Sequence, residues 1–176
     1  MCGWKQHYKN DLKRYEGINS LNKSKKRFLK YLRKCQFTSN KLLLMFYKWC
    51  FKRCKDKFFI EVSSKTLIGD GLYIGHPYGI TINSKAIIGK NCNIHRGVLI
   101  GQENRGKRKG APIIGNSVWI GINASIVGKV TIGDDVLIAP NSFVNCDVPS
   151  HSVVFGNPCQ IIKRENATLN YIVNEI

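Results

Sequence analysis

Acid is what this chain has least of. Its 176 residues hold 11 Asp and Glu against 28 Lys and Arg, a formal net charge of +17. The imbalance is local, with 17 basic and 3 acidic residues through Phe58, so the basicity belongs to an N-terminal appendage. Paired cysteines are also missing. The seven, Cys2, Cys35, Cys50, Cys54, Cys92, Cys146 and Cys159, are odd in number and include no C-x-x-C. That argues against a disulfide framework or a zinc site, leaves no metal expected, and fits a reducing cytoplasm. No apolar run is long. The longest, Leu42 to Tyr47, falls far short of the ~20 residues that span a bilayer, and Met1 to Ser20 is too polar for a secretory signal, which makes the sequons at Asn123 and Asn166 irrelevant. Gly106-Lys-Arg-Lys-Gly110 lacks the spacing and hydroxyl of a Walker A loop. Despite a pI near 9.8, the appendage shows no nucleic-acid module, and no nucleic acid is expected as a partner.

What the chain does have is a count of six. Aliphatic residues recur at Val62, Ile68 and Ile74, then after a two-residue slip at Ile82, Ile88, Ile94 and Ile100, and again at Ile114, Ile120, Ile126, Ile132, Ile138 and Val144. The next residue is often tiny: Gly69, Gly75, Gly89, Gly101, Gly115, Gly121, Gly133 and Ala139. This hexapeptide repeat predicts a mainly β fold, a parallel β-helix with one inward aliphatic side chain per short strand. Three hexads make a triangular coil, so thirteen beats give a little over four coils. Cys92, two residues before Ile94, is expected in the core.

Before the repeat, residues 1–58 carry helical spacing and predict about three helices, with Leu12, Tyr15, Leu29, Leu32, Leu43, Phe46 and Trp49 as buried stripes. The third, over residues 41–57, is apolar at its start and basic at its end. It is expected either to pack on neighbouring helices or another subunit, or to lie on an anionic membrane surface. The repeat domain spans 59–160. Residues 101–113 interrupt it as a protruding loop, and 161–176 form a short tail.

With the slip read as a corner bulge, residues three hexads apart stack along one edge: Gly75, His95, Gly121 and Ala139. The tiny members leave backbone amides open to a long, thin ligand. His76 and His95 stand at the lower end of that edge, beside the loop, where an imidazole can act as general base.

The runs Ile74-Gly-His-Pro-Tyr-Gly-Ile-Thr-Ile82 and Ile94-His-Arg-Gly-Val-Leu-Ile-Gly101, and the ending Val148 to Pro158, resemble the hexapeptide-repeat acyltransferases. The serine acetyltransferase branch and its relatives in surface-polysaccharide clusters are the most similar. The resemblance implies a left-handed β-helix, a homotrimer, and acetyl-CoA bound between neighbouring prisms. It implies His76 as the general base, with Glu61, fifteen positions earlier, orienting it where the family usually has aspartate. His95 is then an acceptor-side contact or the alternative base. Gly101, Gly121 and Ala139 are implied to line the CoA groove, and Lys163 and Arg164, like Arg105, Lys107, Arg108 and Lys109 of the loop, to meet CoA phosphates.

Departures from the branch shape the expected substrate. Gly75 replaces the acid before the catalytic histidine, and Lys109-Gly110-Ala111 replaces the Asp-Arg-His run before proline. Serine's ammonium and carboxylate would lack partners, so the expected acceptor is a sugar hydroxyl of a cell-surface polysaccharide or its lipid-linked precursor. The alternatives are serine O-acetyl transfer, whose enzymes commonly dock a terminal isoleucine like Ile176 into a partner sulfhydrylase, and a non-catalytic β-helix trimer that binds membrane or nucleic acid. The expected location is the cytoplasm or the inner face of its membrane.

Overall fold

The structure is a computed structural model that describes residues 3–176; Cys2 lies outside them. Three helices, α1 (Trp4–Lys13), α2 (Lys23–Phe37) and α3 (Lys41–Phe58), precede a three-sided parallel solenoid. Asn22 caps α2 by accepting from the N–H of Ser24 and Lys25, and Asn40 caps α3 by accepting from Leu43. Phe59, in the left-handed region at φ 51°, ends α3 and turns the chain into the repeat.

Face A carries β1 (Glu61–Val62), β4 (Thr81–Ile82), β7 (Leu99–Gly101), β10 (Ser125–Val127) and β13 (Phe143–Val144). Face B carries β2 (Leu67–Ile68), β5 (Ile87–Ile88), β8 (Ile113–Ile114) and β11 (Thr131–Ile132). Face C carries β3 (Tyr73–Ile74), β6 (Asn93–Ile94), β9 (Val118–Ile120), β12 (Val136–Ile138) and β14 (Ser152–Phe155), closed by the antiparallel β15 (Gln160–Lys163). Because β14 continues face C beyond the thirteenth beat, the left-handed β-helix has about five coils, slightly more than the beat count gives.

All thirteen inward aliphatic residues from Val62 to Val144 are buried and form one core with the helices. Cys92 is among them, its thiol pushed up to about 12 by burial. At Gly69, Gly89, Gly115, Gly121 and Gly133 the tiny residue after the beat is explained by coil stacking. A Cβ on Gly69 would stand 2.6 Å from the carbonyl carbon of Gly89 in the coil above. Gly69→Ala is therefore expected to destabilise the fold by about 1–3 kcal/mol through overpacking, measured as a lowered urea midpoint at unchanged slope.

A parallel stack has a raw lower edge, and the helices close it with side chains. Arg33, fully buried, donates to the carbonyls of Ile68 and Gly69 at 2.7 Å each and grips Asp11 through two more bonds of 2.7 Å. Asp11 in turn accepts from the N–H of Leu72. Arg14 donates to Gly71 O, Tyr15 Oη accepts from the N–H of Ile74, Lys25 donates to Gly75 O, Gln36 to Thr66 O and Lys55 to Val62 O. Part of the appendage's cationic surplus is thus internal hydrogen-bonding equipment.

The buried-stripe reading of the helices is half corrected. Tyr15, Leu29 and Leu32 are buried, but Leu43, Phe46 and Trp49 are exposed, because α3 turns Phe51 and Phe58 inward instead. The tail is also ordered. It descends the edge between faces B and C, tied by Asp135 to Ala167 and Thr168, by Asn93 to Tyr171 O, by Arg14 to Val173 O, and by two bonds between Asn91 and the backbone of Ile176. Ile176 is therefore held by its own chain.

Burial raises the Asp135 carboxyl, but hydrogen bonds from Thr168, His151 and Ala167 outweigh it and hold it below the usual carboxylate range. A depressed carboxyl stabilises above its unfolded pKa of about 3.9 and loses that stabilisation as pH falls through the lower folded value. Asp135→Ala at neutral pH, like strong acid on the parent chain, is expected to free the tail. Hydrogen exchange of the amides of residues 167–176 should accelerate about 10- to 100-fold, the equivalent of hydrogen bonds to one charged group.

Candidate active site

The register places Gly75, His95, Gly121 and Ala139 on one edge, where face C turns into face A, since Ile74 pairs with Ile94, Ile94 with Ile120 and Ile120 with Ile138. His76 begins the corner that absorbs the two-residue slip. Tyr78 N–H donates to His76 O, and Gly79, at φ 64°, completes the turn into β4. Its backbone sits directly above the entry to β1: Gly79 N–H donates to Phe58 O and Glu61 N–H to Ile80 O. Glu61 and His76 therefore share an edge, and both are exposed. Among the described residues no ion pair joins Glu61 to His76.

His95 is the more constrained imidazole. Its Nδ1 lies 2.9 Å from Ile120 O, which can only accept, so Nδ1 carries a proton and the neutral ring keeps its lone pair on Nε2. Burial lowers its pKa, the Ile120 carbonyl opposes that, and the charges of His76 and Lys25 lower it further. The ring packs between Trp119, at 4.7 Å between centroids, and Gly75, where a Cβ would stand 2.8 Å from Nε2. The missing side chain at position 75 is thus what gives His95 its place. The Lys25 ammonium, on Gly75 O and largely withdrawn from water, adds positive charge to the same corner. Sequence reasoning missed this contribution from α2, because a lysine between Ser24 and Lys26 reads as solvated.

Two features of the expected site need correction. The column's amides are not open: Gly75 N–H donates to Ile94 O, Gly121 N–H to Ile138 O and Ala139 N–H to Val154 O. Gly121 is small because a Cβ there would stand 2.6 Å from Pro140 N, not to admit a ligand. The loop does not stand beside His76 and His95 either. It follows β7 and rises where face A meets face B, as a hairpin closed by two bonds between Glu103 and Gly110 and laid against Lys129 N–H and Asn145 O.

The expected CoA contacts are dispersed within one chain. Gly101 lies at the loop edge with Arg105, Lys107, Arg108 and Lys109, whereas Lys163 pairs with Ser152 and Arg164 bonds His151 O at the edge between faces B and C. All six cations are exposed. A cleft of about 630 Å³ lies elsewhere again, between α2, α3 and β2.

The repeat has known relatives. Residues 111–146 match the bacterial transferase hexapeptide model of six repeats. Over that stretch the β-helix is similar to the hexapeptide-repeat transferases. Over 106 residues it is 35% identical to the serine acetyltransferase of Helicobacter pylori, a match covering 60% of this chain and 62% of that protein. The serine acetyltransferase of Neisseria gonorrhoeae solved in complex with serine is 26% identical, with a TM-score of 0.74 over 90% of this chain and 69% of that one. A serine acetyltransferase of Brucella abortus solved with coenzyme A shares the fold, with a TM-score of 0.78 at 22% identity over 92% of this chain and 68% of that one. Matches to the curated relatives span from 31% to 62% of their length.

Proposed function

We propose that this chain is an acetyl-CoA-dependent O-acetyltransferase of the cytoplasm whose acceptor is L-serine. The observation that carries the reading is His76 on the same exposed edge as Glu61, within a repeat domain similar to serine acetyltransferases. In the proposed step His76 takes the proton of the acceptor hydroxyl as its oxygen attacks the thioester carbonyl. The tetrahedral intermediate then collapses, the C–S bond breaks, and the proton goes to the departing CoA thiolate. Glu61 holds the imidazole and offsets its positive charge. His95, with a free Nε2 lone pair, is an acceptor-side contact.

The oxyanion needs donors other than the amides of Gly75, Gly121 and Ala139, which are engaged in the stack. A homotrimer supplies candidates, because the cations dispersed over two edges of one prism can meet at the grooves between prisms. The outer column Leu67, Ile87 and Ile113 on face B, exposed and apolar, supports such association.

One observation favours a second acceptor, a sugar hydroxyl. At the corner where a zwitterion's ammonium would need an anion, this chain has Gly75, the packed ring of His95 and the Lys25 ammonium. Thiol release from acetyl-CoA should be measured with L-serine and with monosaccharides as sole acceptors. Turnover with L-serine is the expected result. Background rates with L-serine beside saccharide-dependent release would replace the serine reading with the sugar one.

A further inference from the structure

α3 presents two opposite faces. Phe51 and Phe58 are buried. On the other side Leu42, Met45, Phe46 and Trp49, at i, i+3, i+4 and i+7, are 79, 68, 54 and 57% exposed. This outward stripe runs straight into Lys52 and Arg53, exposed one turn further along, with Arg53 stacked 5.3 Å over the Trp49 ring. Arg27 of α2 and Lys57 border it around a small cleft shared with Arg53.

We propose that this face of α3 docks on a membrane surface of anionic lipid, the helix lying in the headgroup plane with its stripe sunk to the acyl boundary and its cations on the phosphates. Charge decides the occupant. The exposed charges of α3 are Lys41, Lys48, Lys52, Arg53 and Lys57 against Asp56 alone, so a second copy would bring like charge against like, and a neutral bilayer would leave the cations without partners. A polyanion such as nucleic acid would satisfy the lysines but leave four large apolar side chains in water. No helix of the described residues is long and apolar enough to cross a membrane, so the mode is peripheral.

The full chain should be sedimented with vesicles of phosphatidylcholine alone and of phosphatidylcholine mixed with phosphatidylglycerol, at low and high salt. Binding at least about tenfold stronger to the anionic vesicles, weakening with salt, is expected from the worth of juxtamembrane cations. M45S/F46S/W49S keeps every charge and K52E/R53E keeps every apolar group; each alters solvent-facing side chains only, and each should lower vesicle binding about tenfold or more at an unchanged thermal midpoint. Equal binding to both vesicles, or undiminished binding by M45S/F46S/W49S, overturns the proposal. So does a lower lipid-free molar mass for that variant by light scattering, which would make the stripe an interface between copies, or tighter binding to duplex DNA than to the anionic vesicles.

Discussion

Arg33→Met is expected to destabilise the chain by about 3–5 kcal/mol, the range for removing one partner of a buried pair. For a domain of this size that lowers the thermal midpoint by roughly 6–20 °C, which calorimetry would show. The substitution keeps most of the volume but strips Asp11 of its cation in a site where both side chains are fully buried. Burial already raises the Asp11 carboxyl, and only the Arg33 bonds, the Arg33 charge and the Leu72 N–H oppose that.

If pairing were all that Arg33 did, D11L/R33M would recover most of the loss, as apolar replacements of buried ion pairs often do. The structure predicts otherwise. The double variant still orphans Ile68 O, Gly69 O and Leu72 N–H at the raw edge of the first coil, and each buried unsatisfied group costs about 1–3 kcal/mol. Recovery to within about 1 kcal/mol of the parent chain, less than one such group costs, would show that the edge has another cap.

This edge marks the boundary of what can be read from the chain without coordinates. The count of six identifies the solenoid and, through the registers of Ile74, Ile94, Ile120 and Ile138, puts four residues on one edge correctly. That works because coil stacking is periodic, and clashes like the one above Gly69 keep the residue after many of the beats tiny. Capping is aperiodic. Nothing in the spacing of Asp11, Arg14, Lys25 and Arg33 distinguishes hydrogen-bond partners of a strand edge from a solvated charged face.

The same lack of period hid the path of the tail and the edge from which the loop rises. In α3 the apolar content was legible but its direction was not, since two stripes compete for the core and Phe51 and Phe58 win it. At the site, the fifteen-residue spacing named Glu61 and His76, and the structure puts them on one edge with no ion pair between them among the described residues, while the assignment of open amides failed because an unpaired N–H and one bonded to the next coil look alike in sequence.

His76→Ala carries the largest expected effect on activity. A positioned general base contributes about 10²–10⁴-fold, so kcat for acetyl transfer should fall by that factor while the KM for acetyl-CoA changes little, because the imidazole acts on the acceptor proton and not on the nucleotide. The chain should stay folded: His76 is exposed, its side chain holds no described hydrogen bond, and the corner is made by the His76 carbonyl and Gly79. Glu61→Gln should give a smaller fall in kcat, since the amide can still orient the ring but no longer offsets its charge.

His95→Asn separates the two imidazoles. It removes a ring packed on Trp119 and Gly75 and bonded to Ile120 O, so as an acceptor contact it should raise the acceptor KM more than it lowers kcat. The reverse pattern, with His76→Ala within a few-fold of the parent and His95→Asn at background, would move the base to His95. Its protonated Nδ1 and free Nε2 leave it chemically able to serve.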